Sequence, residues 1–527
     1  VIDILIKNGM VIDGSGKPAE RKDVAITGMR IVAVELLDGA QAGEVIDATG
    51  KMVAPGFIDS HSHADYTLPV SPTADSKVHQ GVTTEVVGNC GISAAPLSLD
   101  MQAKKDENCL FGSFGLSWDW DTFASFLDTL GNTGSSVNVV PLVGHGTIRT
   151  TVMGMSDAVA TAEQLDRMKN EVRSAFEAGA FGLSTGLIYP PNVYSTTDEI
   201  VALAQVAAEM GGIYTSHVRG EAHTVLEAID EAIQVGRRAG LPVEISHLKA
   251  ELRVNWHKMA QAIARIDAAR AEGLNVSADM YPYTAFCTTM TSLLPPWALV
   301  GGREAMCDRL RAPGERAEMR RALAKDALDG QPGYWQGTLI SHCDKRPEYQ
   351  GCTLQDLADG RSQEPEDTAL DILLEVAGEV DMVQFAMSDE NVEMGLGTPY
   401  VMIGSDGEGR AVEGRMSTGK PHPRNYGTFP RVLGYYSRQR RVFPLETAVA
   451  KMTGLPAEKF GLKERGFLRP GYFADVTIFD PERVIDTATF SDPHQYAEGI
   501  ETVLVNGSPT IQAGQHTRAT PGMVLRR

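Results

Sequence analysis

Seven side chains able to hold a metal ion or move a proton fall at the ends of short apolar runs. They are His61 and His63 in VAPGFIDSHSH, Cys90 in TTEVVGNCG, His145 in VNVVPLVGHG, His217 in GIYTSHV, His247 in LPVEISHL and Asp406 in TPYVMIGSDG. His61 and His63 alternate around Ser62, so on a strand both imidazoles leave the same face and can approach one ion. A lone His-x-His pair is weak evidence, because core-satisfied histidines are common. Five of the twelve histidines closing apolar runs, with one Cys and one Asp at matching ends, exceed what packing requires. His342, Cys343 and Asp344 in ISHCDK do not read as a nucleophilic cluster, since neighbours on a strand point to opposite faces.

These residues can act together only if the ends of the runs converge. Two further runs, AFGLSTGL and LNVSADMYPY, complete a set of eight, and most are followed by an amphipathic helix. One helix is expected from Thr161 to Gly179, where T-x-x-Q forms a capping box and Leu165, Met168, Val172 and Phe176 share a face. Thr196 with Glu199 opens the next, with Ile200, Leu203, Ala207 and Met210 on one face and Gly211 at its end. His217 to His247 spans 30 residues and His247 to Asp279 spans 32, each the length of one strand, one helix and two loops. The expected fold is α/β, a (β/α)8 TIM barrel, whose active site sits at the C-terminal strand ends. Asp279 to Asp406 covers 127 residues, so an insertion of about a hundred residues should precede the last strand. Both chain ends break into short β-type runs, which places them in one small β-sandwich. The expected division is 1–54 with 466–527 for the sandwich, 55–302 with 390–465 for the metal-dependent barrel, and 303–389 for the insertion.

Composition narrows the function. The formal charge of −20, from 68 acidic and 48 basic residues, disfavours nucleic acid and anionic membrane as partners. No run approaches the ~20 apolar residues of a membrane span, and the start reads as a strand rather than a signal peptide, so a cytoplasmic protein is expected. Six cysteines without C-x-x-C fit a reducing compartment.

GFIDSHSH, the Cys of GNCGIS, SHVRGE, ISHLK, DMYPY, GSDG and PHPRNYGTFPRVLGYYSR together resemble the D-aminoacylases (N-acyl-D-amino-acid deacylases) of the amidohydrolase superfamily. The resemblance covers nearly the whole chain and is weakest in the insertion. It implies a tight zinc held by Cys90, His217 and His247, with His61, His63 and Asp406 lining a second, weaker metal position. One thiolate and two imidazoles leave a fourth zinc position open for water. His145 has no metal role in that pattern and is expected to be structural. The resemblance further implies that Asp406 is the proton shuttle, that Arg424 binds the substrate α-carboxylate, that Tyr281 and Lys249 contact substrate, and that Tyr189 lies near the scissile amide. Cys287 stands where relatives can carry a serine, and the segment from Asp406 to Arg424 is longer than in familiar relatives.

The expected substrate is a small N-acyl-D-amino acid. Alternatives are another amide, such as a cyclic ureide or a D-configured dipeptide, and a non-catalytic scaffold. The absence of lysine in AFGLSTGLIYP disfavours the cyclic-amide hydrolases, which usually bridge two metals with a carboxylated lysine there.

Overall fold

A computed structural model describes residues 1–97, 114–330 and 333–527; Cys109 lies outside the described residues. Eight parallel strands pair in chain order: Phe57–Asp59, Val82–Val87, Asn138–Gly144, Gly182–Gly186, Ile213–His217, Val243–Ile245, Val276–Met280 and Val401–Ile403. Buried on both faces, they read as unbroken apolar runs rather than as alternating strands. The first and eighth meet along a seam. There Ser60 N–H donates to the Ile403 carbonyl (3.3 Å), Asp406 N–H to that of His61 (2.8 Å) and His63 N–H to that of Gly407 (2.8 Å).

Under the seam lies a buried cation. Lys77 Nζ reaches Asp59 Oδ2 (2.7 Å), Ser405 Oγ (2.9 Å) and Ser62 Oγ (3.2 Å), with Glu85 Oε2 at 3.3 Å. Asp59 in turn accepts from Ser405 N–H (2.8 Å), so one ion pair ties the strands that the intervening chain separates most widely.

The helices follow their local signals. Ala162–Ala178 is capped by Thr161 and Gln164 bonding reciprocally, buries Met168, Val172 and Phe176, and ends at Gly179 in the left-handed conformation. Thr197–Glu209 buries Ile200, Leu203 and Ala207. Met210, expected on the same face, is exposed because the helix ends one residue before it.

The chain ends form a sandwich. A four-stranded sheet built on Ile2–Lys7 and Asp23–Thr27 faces a seven-stranded sheet containing Met52–Pro55, Val476–Phe479 and Ile500–Val505, with Ile4, Ile26, Val476 and Leu504 between them. The last residues leave it and run along the third barrel strand: Val139 N–H donates to the Met523 carbonyl (2.9 Å) and Leu525 N–H to that of Val139 (2.8 Å). The excursion before the eighth strand carries an antiparallel sheet of Ala285–Thr289, Thr338–His342 and Asp381–Phe385 over its own core of Met290, Leu310, Ile340 and Leu370. That sheet begins at Ala285, upstream of residue 303, because the run AFCTT has the texture of a barrel strand but pairs with Asp381–Phe385.

Candidate metal centre

At three strand ends the chain leaves the barrel through a left-handed residue that is not glycine: Cys90 at φ 53°, His247 at φ 34° and Asp406 at φ 50°. Each costs about 1–3 kcal/mol and persists only where surrounding contacts enforce it. The turns are tight. A Cβ on Gly91 would lie 2.6 Å from the Gly186 nitrogen, and one on Gly404 would lie 2.6 Å from the His61 Cβ.

Those turns converge the side chains on one point. Cys90 Sγ lies 3.3 Å from His61 Nε2 and 3.4 Å from His247 Nε2, while Asp406 Oδ1 lies 3.1 Å from His63 Nε2 and 3.4 Å from His61 Nε2. One donor atom each from His61, Cys90, His247 and Asp406 fits within 4.8 Å of all the others. The His217 ring stands 4.4 Å from that of His247. Its Nδ1 is buried without a hydrogen bond and its Nε2 meets only a carboxylate oxygen of Glu221 at 3.2 Å, an arrangement that a metal bound by the free nitrogen would resolve. The donor set of one sulfur, imidazoles and a carboxylate therefore fits zinc.

Two acids orient these rings, and sequence reasoning gave neither a role. Glu221 Oε1 lies 2.9 Å from His247 Nδ1 and accepts from Lys249 Nζ (2.5 Å), while its other oxygen is 3.2 Å from His217 Nε2. Asp279 Oδ2 lies 3.1 Å from His61 Nδ1, and its Oδ1 accepts from His247 N–H (2.8 Å). A carboxylate behind a ligating imidazole fixes its tautomer and raises its basicity. Their signal was in the motifs: Glu221 closes SHVRGE and Asp279 opens DMYPY. His145 stands apart, with Nδ1 on Asn192 (3.0 Å) and Nε2 on Glu199 (2.9 Å), and holds the barrel wall.

The electrostatics suit the chemistry. Burial alone would raise the Cys90 thiol, but the His61 and His247 imidazoles hold it well below its ordinary value. Burial likewise opposes ionisation of Asp406, yet Arg424, His247, His63 and His61 hold its carboxyl well below the usual range.

Arg424, at the start of helix Arg424–Arg431, places Nη1 2.8 Å from Asp406 Oδ2 and donates from Nη2 to the Cys287 carbonyl (3.2 Å). Its Nε and the Tyr281 hydroxyl are both buried without a partner, and the guanidinium lies 5.0 Å over the Tyr281 ring. Burial keeps the Tyr281 hydroxyl protonated. Two idle donors beside a cation form a receptor for an anionic group. Lys249 is 5.9 Å from the Tyr281 ring but is engaged by Glu221. Tyr189 lies 5.1 Å from His217, its hydroxyl sharing a hydrogen bond with Thr288 (2.8 Å). Cys287 Sγ faces Ser341 Oγ at 3.7 Å, and burial pushes its thiol up to about 12, so it stays neutral. A cavity of about 350 Å³ opens between this centre and the insertion, with Gly91 and Tyr189 on the barrel side and Met306 and Asp381 opposite.

The profile of the amidohydrolase family matches residues 44–319 and 405–511. The chain is 38% identical to a D-aminoacylase of Alcaligenes xylosoxydans xylosoxydans, over 100% of this chain and 98% of that one. A solved D-aminoacylase superposes with a TM-score of 0.85 at 37% identity, covering all of both chains, and its binuclear metal centre is described in terms of one-metal activation and second-metal attenuation. The crystal structure of N-acyl-D-glutamate deacylase from Bordetella bronchiseptica, complexed with zinc and a phosphonate mimic of the tetrahedral intermediate, superposes with a TM-score of 0.84 at 34% identity, again over all of both chains.

Proposed function

We propose, because this chain belongs to the amidohydrolase family, that it hydrolyses the amide of N-acyl-D-amino acids to a carboxylate and a free D-amino acid. The observation that carries the reading is the pairing of Arg424 with Asp406 inside a cluster of zinc-type donors: a carboxylate receptor lies one side chain away from a proton acceptor. The D configuration is supported by the named relatives.

Cys90, His217 and His247 would hold one tight zinc, and His61, His63 and Asp406 a weaker second position. Zinc held there would supply Lewis acidity to the amide carbonyl and lower the pKa of water, so that it gives up its proton near neutral pH and becomes a nucleophile. Asp406, ionised, takes the proton of the attacking water and delivers it to the leaving nitrogen as the C–N bond breaks. Arg424 and Tyr281 hold the α-carboxylate, and the substrate competes for the guanidinium that Asp406 engages in its absence. Release from Arg424 makes Asp406 a better base at the moment substrate arrives. The fourth barrel strand, GLSTG, offers no lysine to bridge two metals, which disfavours a cyclic-amide hydrolase.

No described helix is long and apolar enough to cross a membrane. Five described cysteines are unpaired, two of them beside the centre, which supports a reducing, cytoplasmic setting. The test is turnover of racemic N-acetyl amino acids by zinc-loaded protein with chiral analysis of the product. We expect D-amino acid alone. Equal release of both enantiomers, faster opening of hydantoins, or no turnover at full zinc occupancy would overturn the reading.

A further inference from the structure

Asp381 opens the central strand of the insertion sheet, paired with Thr289 on one side and His342 on the other. It borders both the large cavity and the small hollow that contains Arg424, Asp406 and Cys287. A substrate held by its α-carboxylate at Arg424 would therefore extend its side chain toward Asp381. This residue is only 8% exposed, yet its carboxylate accepts no hydrogen bond from any described residue. The nearest cationic group is His342 Nδ1 at 4.0 Å, and His342 Nε2 is taken by Asp344 (3.1 Å). Among the described residues the neighbouring cations are also committed: Arg410 to Glu408 (2.6 Å), and Arg303 and Lys345 both to Glu379.

A nearly buried carboxylate facing a ligand cavity with no donor of its own is completed by a donor on the ligand. We propose that Asp381 selects D-amino acids whose side chain ends in a hydrogen-bond donor, an amide or an ammonium, and rejects those ending in a carboxylate. This rests on the deacylase reading above, and it separates this chain from its N-acyl-D-glutamate deacylase relative. The discrimination has two parts. A donor satisfies Asp381, whereas a second carboxylate would be buried against it with only the His342 imidazole, already shared between Asp344 and Asp381, as a described cation beside it.

The experiment compares kcat/KM for N-acetyl-D-glutamine and N-acetyl-D-glutamate, near isosteres with opposite termini, in zinc-loaded wild type and in Asp381→Asn. It is run at about pH 8.5, where the carboxyl, pushed up to about 7 by burial and by Glu408 and Asp344 against the pull of His342 and Arg410, is ionised. The wild-type ratio should favour glutamine by about tenfold to a hundredfold, and Asp381→Asn should bring it toward one. A wild-type ratio at or below one, or an unchanged ratio in folded Asp381→Asn, overturns the proposal; the wild-type ratio decides even if the variant fails to fold. N-acetyl-D-alanine, whose methyl side chain carries neither a donor nor a carboxylate, separates the two readings. Its turnover without a glutamine preference sinks the side-chain inference alone, and no turnover of any of the three sinks the deacylase reading with it.

Discussion

Asp406 carries the most chemistry in the proposed reaction, and its neighbours define what its replacement should do. Asp406→Asn keeps the size and one acceptor for His63 but cannot shuttle a proton. Turnover should fall by roughly 10²–10⁴ while the tight zinc and the circular dichroism stay at parent values; a near-normal rate in protein replete with the tight zinc would remove Asp406 from the proton path. Arg424→Lys keeps the charge and loses the planar fork, so kcat/KM for N-acetyl-D-amino acids should drop by ~2–3 kcal/mol. Hydrolysis of substrates with a blocked carboxyl at the parent rate would refute the receptor role. His61, His63, Cys90, His217, His247 and Asp406 were legible because a strand end is a local event with a local signature. Glu221 and Asp279 stood inside the motifs SHVRGE and DMYPY, but their role was not legible, since an acid that serves by standing behind an imidazole has no spacing of its own.

Elements were legible where their boundaries are chemical. The Thr161–Gln164 capping box and Gly179 fixed one helix in the sequence as in the structure, and the eight apolar runs fell on the eight barrel strands. The start of the insertion was not, because Ala285–Thr289 has barrel-strand composition and only its partner reveals its allegiance. Lys77 was silent too: one lysine in a short helix looks like a surface residue until Asp59, Glu85 and Ser405 surround it. Lys77→Met should destabilise the protein by about 3–5 kcal/mol, because it leaves two carboxylates buried without their cation. Urea unfolding measures this, and a loss below about 1 kcal/mol would mean that the pair does not hold the seam.

At the scale of the whole molecule, the sandwich of both termini was readable from the β texture they share, and the tail along the third barrel strand was not, because VLRR has no pattern that names its partner. The seam between the first and eighth strands has a wider consequence. Backbone hydrogen bonds across it involve His61, His63 and Asp406 themselves, so a metal gripped by these residues would act as a staple through the keystone of the ring. Mild chelation that takes only this weaker ion should let the barrel breathe at that joint and nowhere else. Hydrogen exchange at the Ser60, His63 and Asp406 amides should quicken about tenfold or more when that weaker ion is removed and the tight zinc is kept, while the amides between Gly182–Gly186 and Ile213–His217 keep their protection. Uniform loosening around the ring would show the staple to be no such thing. With a local response, the weaker ion locks the architecture beside the one that would run the reaction, and a cell starved of zinc would hold a ring standing ajar at one joint.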